Sequence, residues 1–369
     1  MKLTRLISAA GVALVAVVLG AGPAAAHAPR PASAVFVQTD DPAGNTIVAY
    51  DRNPDGSLRK AGNYPTGGRG GVLGGSVVDH LASQGSLTYD RAHRRLYAVN
   101  AGSDTITLFR VHGDRLVRRQ VVPSFGDFPV SITARGGLVY VLNARGGGSI
   151  QGYVRVGGRL VPVPQWHRRL GLDPAATPEF TTTPGEVAFT PDGDKLVVTT
   201  KGNGNAIDVF AIDRLGGPSS RPVTTVLPDA APFAVAFDAH GNLAVAEAGP
   251  NAVATFRIDH RGALSPIASA LTGQAATCWI VNVGGRFYVS NAGSATVSVF
   301  DGALKSVGLT ATRGGTVDAA ASPDGRFLYV QTGAAGGVDA FRIGSDGRLV
   351  PIGEVTVPGA IGGEGIAAS

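Results

Sequence analysis

Short apolar runs alternate with glycine-rich turns along most of the chain, and one unit recurs. It is an apolar strand that closes on a small polar residue, a Gly-rich turn, and a second strand. A further Gly turn and a third strand follow. It reads Leu96-Tyr97-Ala98-Val99-Asn100-Ala101-Gly102-Ser103, then Thr105-Ile106-Thr107-Leu108-Phe109. It returns as Phe287-Tyr288-Val289-Ser290-Asn291-Ala292-Gly293-Ser294, then Thr296-Val297-Ser298-Val299-Phe300. Weaker copies begin at Val35, Val139, Leu196, Leu243 and Leu328, so there are seven, spaced 61, 43, 57, 47, 44 and 41 residues apart. A further strand precedes the unit, as in Val187-Ala188-Phe189-Thr190 before Pro191-Asp192-Gly193. Pro-Asp-Gly between apolar runs is a turn: Pro presets φ and Gly accepts φ > 0. Period-two alternation rich in Val, Tyr, Phe and Thr marks strands, and no amphipathic helix is evident. Four short strands, A to D from the inside out, repeated seven times predict an all-β, seven-bladed β-propeller of four-stranded antiparallel blades.

The chain ends predict how the ring closes. The first unit opens directly on strand B at Val35-Phe36-Val37, with no strand A before it. Glu364-Gly365-Ile366-Ala367-Ala368-Ser369 resembles the missing strand A, so the C-terminal strand should pair into the first blade. Closure of this kind protects sheet edges. In such a blade the A–B and C–D turns share one face, and the B–C turns and D–A connections share the other. His93, His240, His112 and His260 then belong to the first face as solvated turn residues. His80 and His167 fall in the two long D–A connections, residues 66–84 and 166–184, which account for the wide spacings. Long loops in a compact ring are often binding loops or lids.

The N-terminus changes the picture of where the protein works. Lys2 and Arg5 precede an apolar stretch from Ile7 to about Ala21, and Ala24-Ala25-Ala26 completes an A-x-A cleavage pattern. This order predicts a secretory signal peptide over 1–26, a short segment 27–33, and a propeller over 34–369. Cleavage after Ala28 is the near alternative. A membrane anchor is the other reading, but the apolar core is short for one. Export makes the expected location extracellular, with no membrane association after cleavage. The single cysteine, Cys278, excludes an intrachain disulfide and reads as a buried structural thiol. The net charge of +5 comes from scattered basic residues, without an aromatic-interleaved stripe, so nucleic acid is not an expected partner.

The repeat also exposes the residues that break it. Strand B ends at Thr39, Asn100, Asn143, Thr200, Glu247, Asn291 and Thr332. Asn and Thr suit a turn whose side chains bond the local backbone. Glu247 is the one acid in that ring. Lys201 follows strand B where four copies have Ala, Arg145 comes shortly after Asn143 in the third copy, and Glu186 and Asp318 begin strand A. Glu247, Glu186, Lys201, His80 and His167 are therefore the candidate catalytic set for an ester-like bond. A carboxylate or His would act as base on water, and Lys or Arg would hold the oxyanion. Asn100, Asn143, Arg145, Asn291, Phe233 and Trp279 are the candidate substrate contacts. Ion pairs lining the channel mouth are the structural alternative. An oxygen-rich divalent-metal site formed by Glu247, Asn100, Asn143 and Asn291 is a further one. No cofactor and no metal are expected in the leading reading. There is no P-loop and no nucleophile elbow.

Two motifs bear a family resemblance that spans essentially the whole mature chain. Pro323-Asp324-Gly325-Arg326-Phe327-Leu328-Tyr329-Val330 and Phe256-Arg257-Ile258-Asp259-His260-Arg261-Gly262-Ala263-Leu264 resemble the seven-bladed lactonase propellers. That family includes 6-phosphogluconolactonase-type enzymes and carboxymuconate cyclases. The resemblance implies hydrolysis of a small lactone, or of a related sugar or aromatic-acid derivative; a monomer is expected. Family members often carry Gly-Pro-Arg-His before a strand ending in Asn-Glu. Here Ala231-Pro232-Phe233-Ala234 precedes Ala246-Glu247, so Pro and Glu match while Phe233 and Ala234 replace Arg and His. Pro184-Gly185 stands where relatives often have Pro-His. These departures point away from a phosphosugar substrate. A non-catalytic propeller binding a ligand or protein on the same face is the alternative function.

Overall fold

The computed structural model describes residues 33–369. The expected signal peptide, and all of the segment that follows it except Ser33, lie outside the described residues. Seven antiparallel sheets follow one another along the chain. Blade 1 contains Ala34–Gln38, Thr46–Arg52 and Leu58–Pro65, and its innermost strand is Ile366–Ala368. Blades 2 to 4 start at Leu87–Asp90, Pro129–Arg135 and Val187–Phe189, and blades 5 to 7 at Pro232–Phe237, Thr277–Val283 and Thr316–Ala321. The C-terminal strand is antiparallel to the first, with Val35 opposite Ala368, Phe36 opposite Ala367 and Val37 opposite Ile366. The backbone N–H of Gln38 donates to the Gly365 carbonyl and that of Ser369 to the Ala34 carbonyl, extending the ladder at both ends. Sequence pattern and tertiary pairing thus agree on the closure.

Strand alternation puts apolar side chains between blades. Val197, Ile207, Val245 and Phe256 form one such layer between blades 4 and 5, and Tyr288, Val299, Leu328 and Phe341 another between blades 6 and 7. Three strand-B tyrosines add a polar end to this packing. Tyr288 donates its hydroxyl to the Gly347 carbonyl at 2.9 Å and Tyr329 to the Gly56 carbonyl at 2.8 Å; Tyr140 does the same to Gly216. Each acceptor lies in the C–D turn of the following blade, so the lock joins blades 3 and 4, blades 6 and 7, and blades 7 and 1 across the closure. Gly56 has φ +91°, and a Cβ there would run into the Phe327 ring, so this turn requires glycine.

Blade 3 departs from the repeat. Its outer strand is interrupted after Pro162, and Arg168–Arg169 rejoins the sheet opposite Ser149 and Ile150. The second long connection then carries the one-turn helix Glu179–Thr182.

Candidate functional site

The B–C turns and D–A connections share one face, as the strand order requires. On that face the first long connection, residues 66–86, does more than cover the channel mouth. It enters the ring and ties its blades together. Ser83 Oγ donates to Val130 O in blade 3 at 2.8 Å, and Trp279 Nε1 in blade 6 donates to Ser83 O at 2.6 Å. Gln84 lies among the innermost strands. Its Nε2 donates to Glu186 Oε2 (3.1 Å), Val235 O (3.3 Å) and Ile280 O (3.2 Å), and its Oε1 accepts from Ile280 N–H at 2.9 Å. Glu364, just before the closing strand, accepts from the N–H groups of Gly85 and Ser86. The two long connections also meet: Glu179 Oε2 accepts from Gly74 N–H at 2.6 Å, and Phe180 N–H donates to Gly74 O.

This arrangement reassigns most of the expected catalytic set. Lys201 is 2% exposed. Its ammonium donates to Ala82 O and Phe180 O, both at 2.7 Å, and to Thr183 Oγ1 at 3.2 Å, and stands 5.2 Å from the Phe233 ring centroid. All three donors are engaged, so the expected oxyanion holder is instead a staple that joins both long connections to blade 4. Burial lowers its pKa to about 7. Glu186 is buried in the channel wall, where its Oε2 also accepts from Val235 N–H at 2.7 Å, and burial raises its pKa well above the usual range. It bridges blades 4 and 5 and is not presented to solvent. His80 is half-buried against Gly362 of the C-terminal segment, its backbone N–H donating to Gly362 O; burial lowers its pKa. His167 is not at the channel at all. It sits where blade 3's outer strand is interrupted, beside Arg168 and Arg169, and lines a groove on the outer rim with Phe125 and Asp127.

Asn100, Asn143 and Asn291, expected to contact substrate, are wholly buried and brace their own turns. Asn100 Nδ2 donates to Thr105 Oγ1 at 3.1 Å and Thr107 Oγ1 at 2.9 Å. Asn291 Nδ2 makes the same pair to Thr296 Oγ1 (3.1 Å) and Ser298 Oγ (2.9 Å). Asn143 donates to Ser149 Oγ. Because each asparagine bonds within or beside its own turn, these residues do not converge with Glu247 into a metal shell. Among the described residues no group of three His, Cys, Asp or Glu side chains is placed to hold a metal ion.

Glu247 stands apart. It pairs with Ala252 in strand C, and Ala254 lies two residues on. Those are the positions of Thr105 and Thr107 in blade 2 and of Thr296 and Ser298 in blade 6. Blade 5 has therefore lost both the amide and its hydroxyl partners. Among the described residues the Glu247 carboxylate has no hydrogen-bond or ion-pair partner, Lys201 included, although its oxygens still reach solvent. Burial raises its pKa above the usual carboxylate range.

The other expected contacts divide. Phe233 and Trp279 pack edge to face, with centroids 4.9 Å apart and planes at 61°, and both line an apolar cleft with Phe180 and Cys278. Cys278 is buried, as expected, and its thiol is pushed up to about 12. Arg145 is half-exposed and grips both oxygens of Glu179 at 2.6 and 3.1 Å, with its guanidinium 4.2 Å over the Phe128 ring. It lines a cleft of about 240 Å³ with Leu172, Asp173 and Asn203. The residues missed from sequence are Asp40, Asp79 and Glu364. With Asp318 and Glu186 they are buried carboxyl groups, each with its pKa raised by burial; Glu364 stands beside Asp40, Asp79 and Asp318, and Glu186 is bound to Gln84. Asp40 and Asp79 sit in turns and loops where acids are normally solvated, so only the tertiary fold reveals their burial.

These features define a seven-bladed propeller whose channel mouth is capped by its own connections. No protein-family model and no curated protein sequence matches the chain. Solved structures do match, with likeness at the level of the fold. A periplasmic gluconolactonase from Pseudomonas aeruginosa superposes with a TM-score of 0.70 at 19% identity, covering 91% of this chain and 98% of that one. A Bacteroides fragilis protein put forward as a 6-phosphogluconolactonase gives a TM-score of 0.71 at 18% identity, over 92% and 98% of the two chains. A virginiamycin B lyase from Staphylococcus aureus is less similar, with a TM-score of 0.56 at 13% identity over 79% and 90%. The likeness is thus one of fold, and among these neighbours that fold serves both a gluconolactonase and a lyase.

Proposed function

We propose that this chain is an exported, lactonase-type propeller that hydrolyses a small lactone on the face of the B–C turns, with Glu247 as general base. The observation that supports this most directly is that blade 5 alone ends strand B on an acid, with Glu-Ala-Ala where blades 2 and 6 carry an asparagine braced by two hydroxyls. Glu247 is largely buried with no donor among the described residues, so its charge keeps only part of its hydration; that is unfavourable for folding, and a purely structural position would not favour it. A raised pKa makes the carboxylate a stronger base toward water. In the proposed reaction water attacks the lactone carbonyl as Glu247 accepts its proton. The ring C–O bond then breaks, and the leaving alkoxide takes that proton back. No cofactor, nucleic acid or second protein takes part. Similarity to a periplasmic gluconolactonase and the predicted signal peptide support action outside the cytoplasm.

The engagement of Lys201 favours one competing reading, a propeller that binds a ligand without turning it over. A hydrolysis panel of aliphatic, aromatic and sugar lactones, run on the purified mature protein with and without chelator, separates the two. Chelator-insensitive ring opening of at least one lactone is the expected result. Ligand binding with no hydrolysis anywhere in the panel would replace the lactonase reading with the binding one.

A further inference from the structure

The cleft beside Phe233 and Trp279 has a chemistry of its own. It lies between the inner ends of blades 5 and 6 under residues 76–82, with a volume of about 130 Å³. Val77, Phe180, Phe233, Cys278, Trp279 and Ala292 form most of its wall. The polar groups around it already have partners. The Trp279 indole N–H is bound to Ser83 O, and the three Lys201 donors are engaged as described. The two Asp79 oxygens accept from Leu81 N–H (2.8 Å) and Ser83 N–H (2.9 Å). Cys278, protonated at any physiological pH, behaves as a small apolar group. A sugar ring placed here would leave its hydroxyls unpaired, whereas an apolar ring would lose nothing. The size agrees: an apolar cavity of about 150 Å³ holds one benzene molecule. At the rim, Val77 is 79% exposed, a large apolar side chain in water at the cleft entrance.

We infer that this cleft receives one aromatic or similarly sized apolar ring, so that the molecule accepted on this face is an aryl- or alkyl-substituted lactone and not a sugar acid derivative. The choice of a lactone rests on the proposed function; the choice of an apolar ring rests on the cleft alone. Phe233 directly follows Pro232, the strand partner of Glu247, so a ring held at Phe233 has its polar end near the proposed base.

Trp279 supplies a readout that does not need turnover. The chain has two tryptophans, and Trp166→Phe leaves Trp279 as the only reporter. Benzyl alcohol should quench that fluorescence saturably, whereas gluconate should not. Ala292→Phe, which fills the cleft, should weaken benzyl alcohol binding at least about tenfold. Val77→Asp changes an exposed loop position that the fold does not need, and it should weaken binding in the same direction with an unchanged melting temperature. In parallel, γ-phenyl-γ-butyrolactone should be hydrolysed in preference to gluconolactone. Absence of saturable quenching, or equal binding by the Val77→Asp protein, overturns the cleft assignment. Benzyl alcohol binding without hydrolysis of either lactone keeps the cleft and removes the reaction. Gluconolactone hydrolysis without benzyl alcohol binding does the reverse.

Discussion

Glu247 occupies a position that Asn or Thr fills in every other blade, and its neighbours Ala252 and Ala254 lack the hydroxyls that would brace an amide there. Glu247→Gln keeps the shape and removes the charge. The fold should survive, and turnover of whichever lactone the panel identifies should drop at least about tenfold, the scale of losing one acid–base contributor. Loss of stability with full activity per folded molecule would make the carboxylate structural. The channel acids lead to a different expectation. Burial holds Asp40 at about 8 and raises Asp79, Asp318 and Glu364 as well; Asp318 and Glu364 are hydrogen-bonding neighbours. A carboxyl whose pKa is higher in the folded than in the unfolded chain stabilises the fold below its unfolded value of about 4. That contribution is lost as pH rises through the folded value. Thermal unfolding should therefore occur at a higher temperature at pH 5 than at pH 8. Glu364→Gln, which can donate to Asp318 and still accept from Gly85 and Ser86, should flatten that slope.

The two long D–A connections are the elements that most change the face they lie on. Lys201 joins them through Ala82 and Phe180, and Arg145 holds the second through Glu179. Lys201→Met preserves bulk but leaves those two carbonyls without their donor, each a loss of about 1–3 kcal/mol if it stays buried. Amide exchange within residues 72–86 and 176–183 should accelerate in this variant, while the blade strands keep their protection. Unchanged exchange in both segments would show that Lys201 is not their staple. The existence of both connections, and the face they occupy, were legible from the 61- and 57-residue spacings. The first connection's entry into the ring was not, because Leu73, Leu81 and Gln84 are buried by blades far away in sequence.

Over the whole molecule, closure rests on a three-residue strand and the glutamate before it. Removing residues 364–369 takes away the inner strand of blade 1, the Glu364 contacts to Gly85 and Ser86, and the backbone pairing of Gln38. The first blade would expose an unpaired inner edge, and the channel loop would lose an anchor. The truncated protein should be destabilised by more than about 4 kcal/mol, beyond the usual range for a single change. An unaltered melting temperature would mean that the ring does not depend on this strand.

The repeat period, the four strands per blade, the missing first strand and the surplus last one were all written in the sequence, because strand alternation and turn chemistry are local properties. So was the singularity of Glu247, since an internal repeat supplies its own comparison. Tertiary structure alone decided which polar residues are available. Lys201, Glu186 and the three asparagines have the residue types of a reactive site, yet the asparagines are engaged by their own turns, and Lys201 and Glu186 by Ala82, Gln84 and Val235, which only the tertiary fold brings near. His167 left the site because a two-residue strand, Arg168–Arg169, draws its connection to the outer edge of blade 3. Burial and hydrogen-bond partnership are properties of packing between distant segments, and no local pattern encodes them.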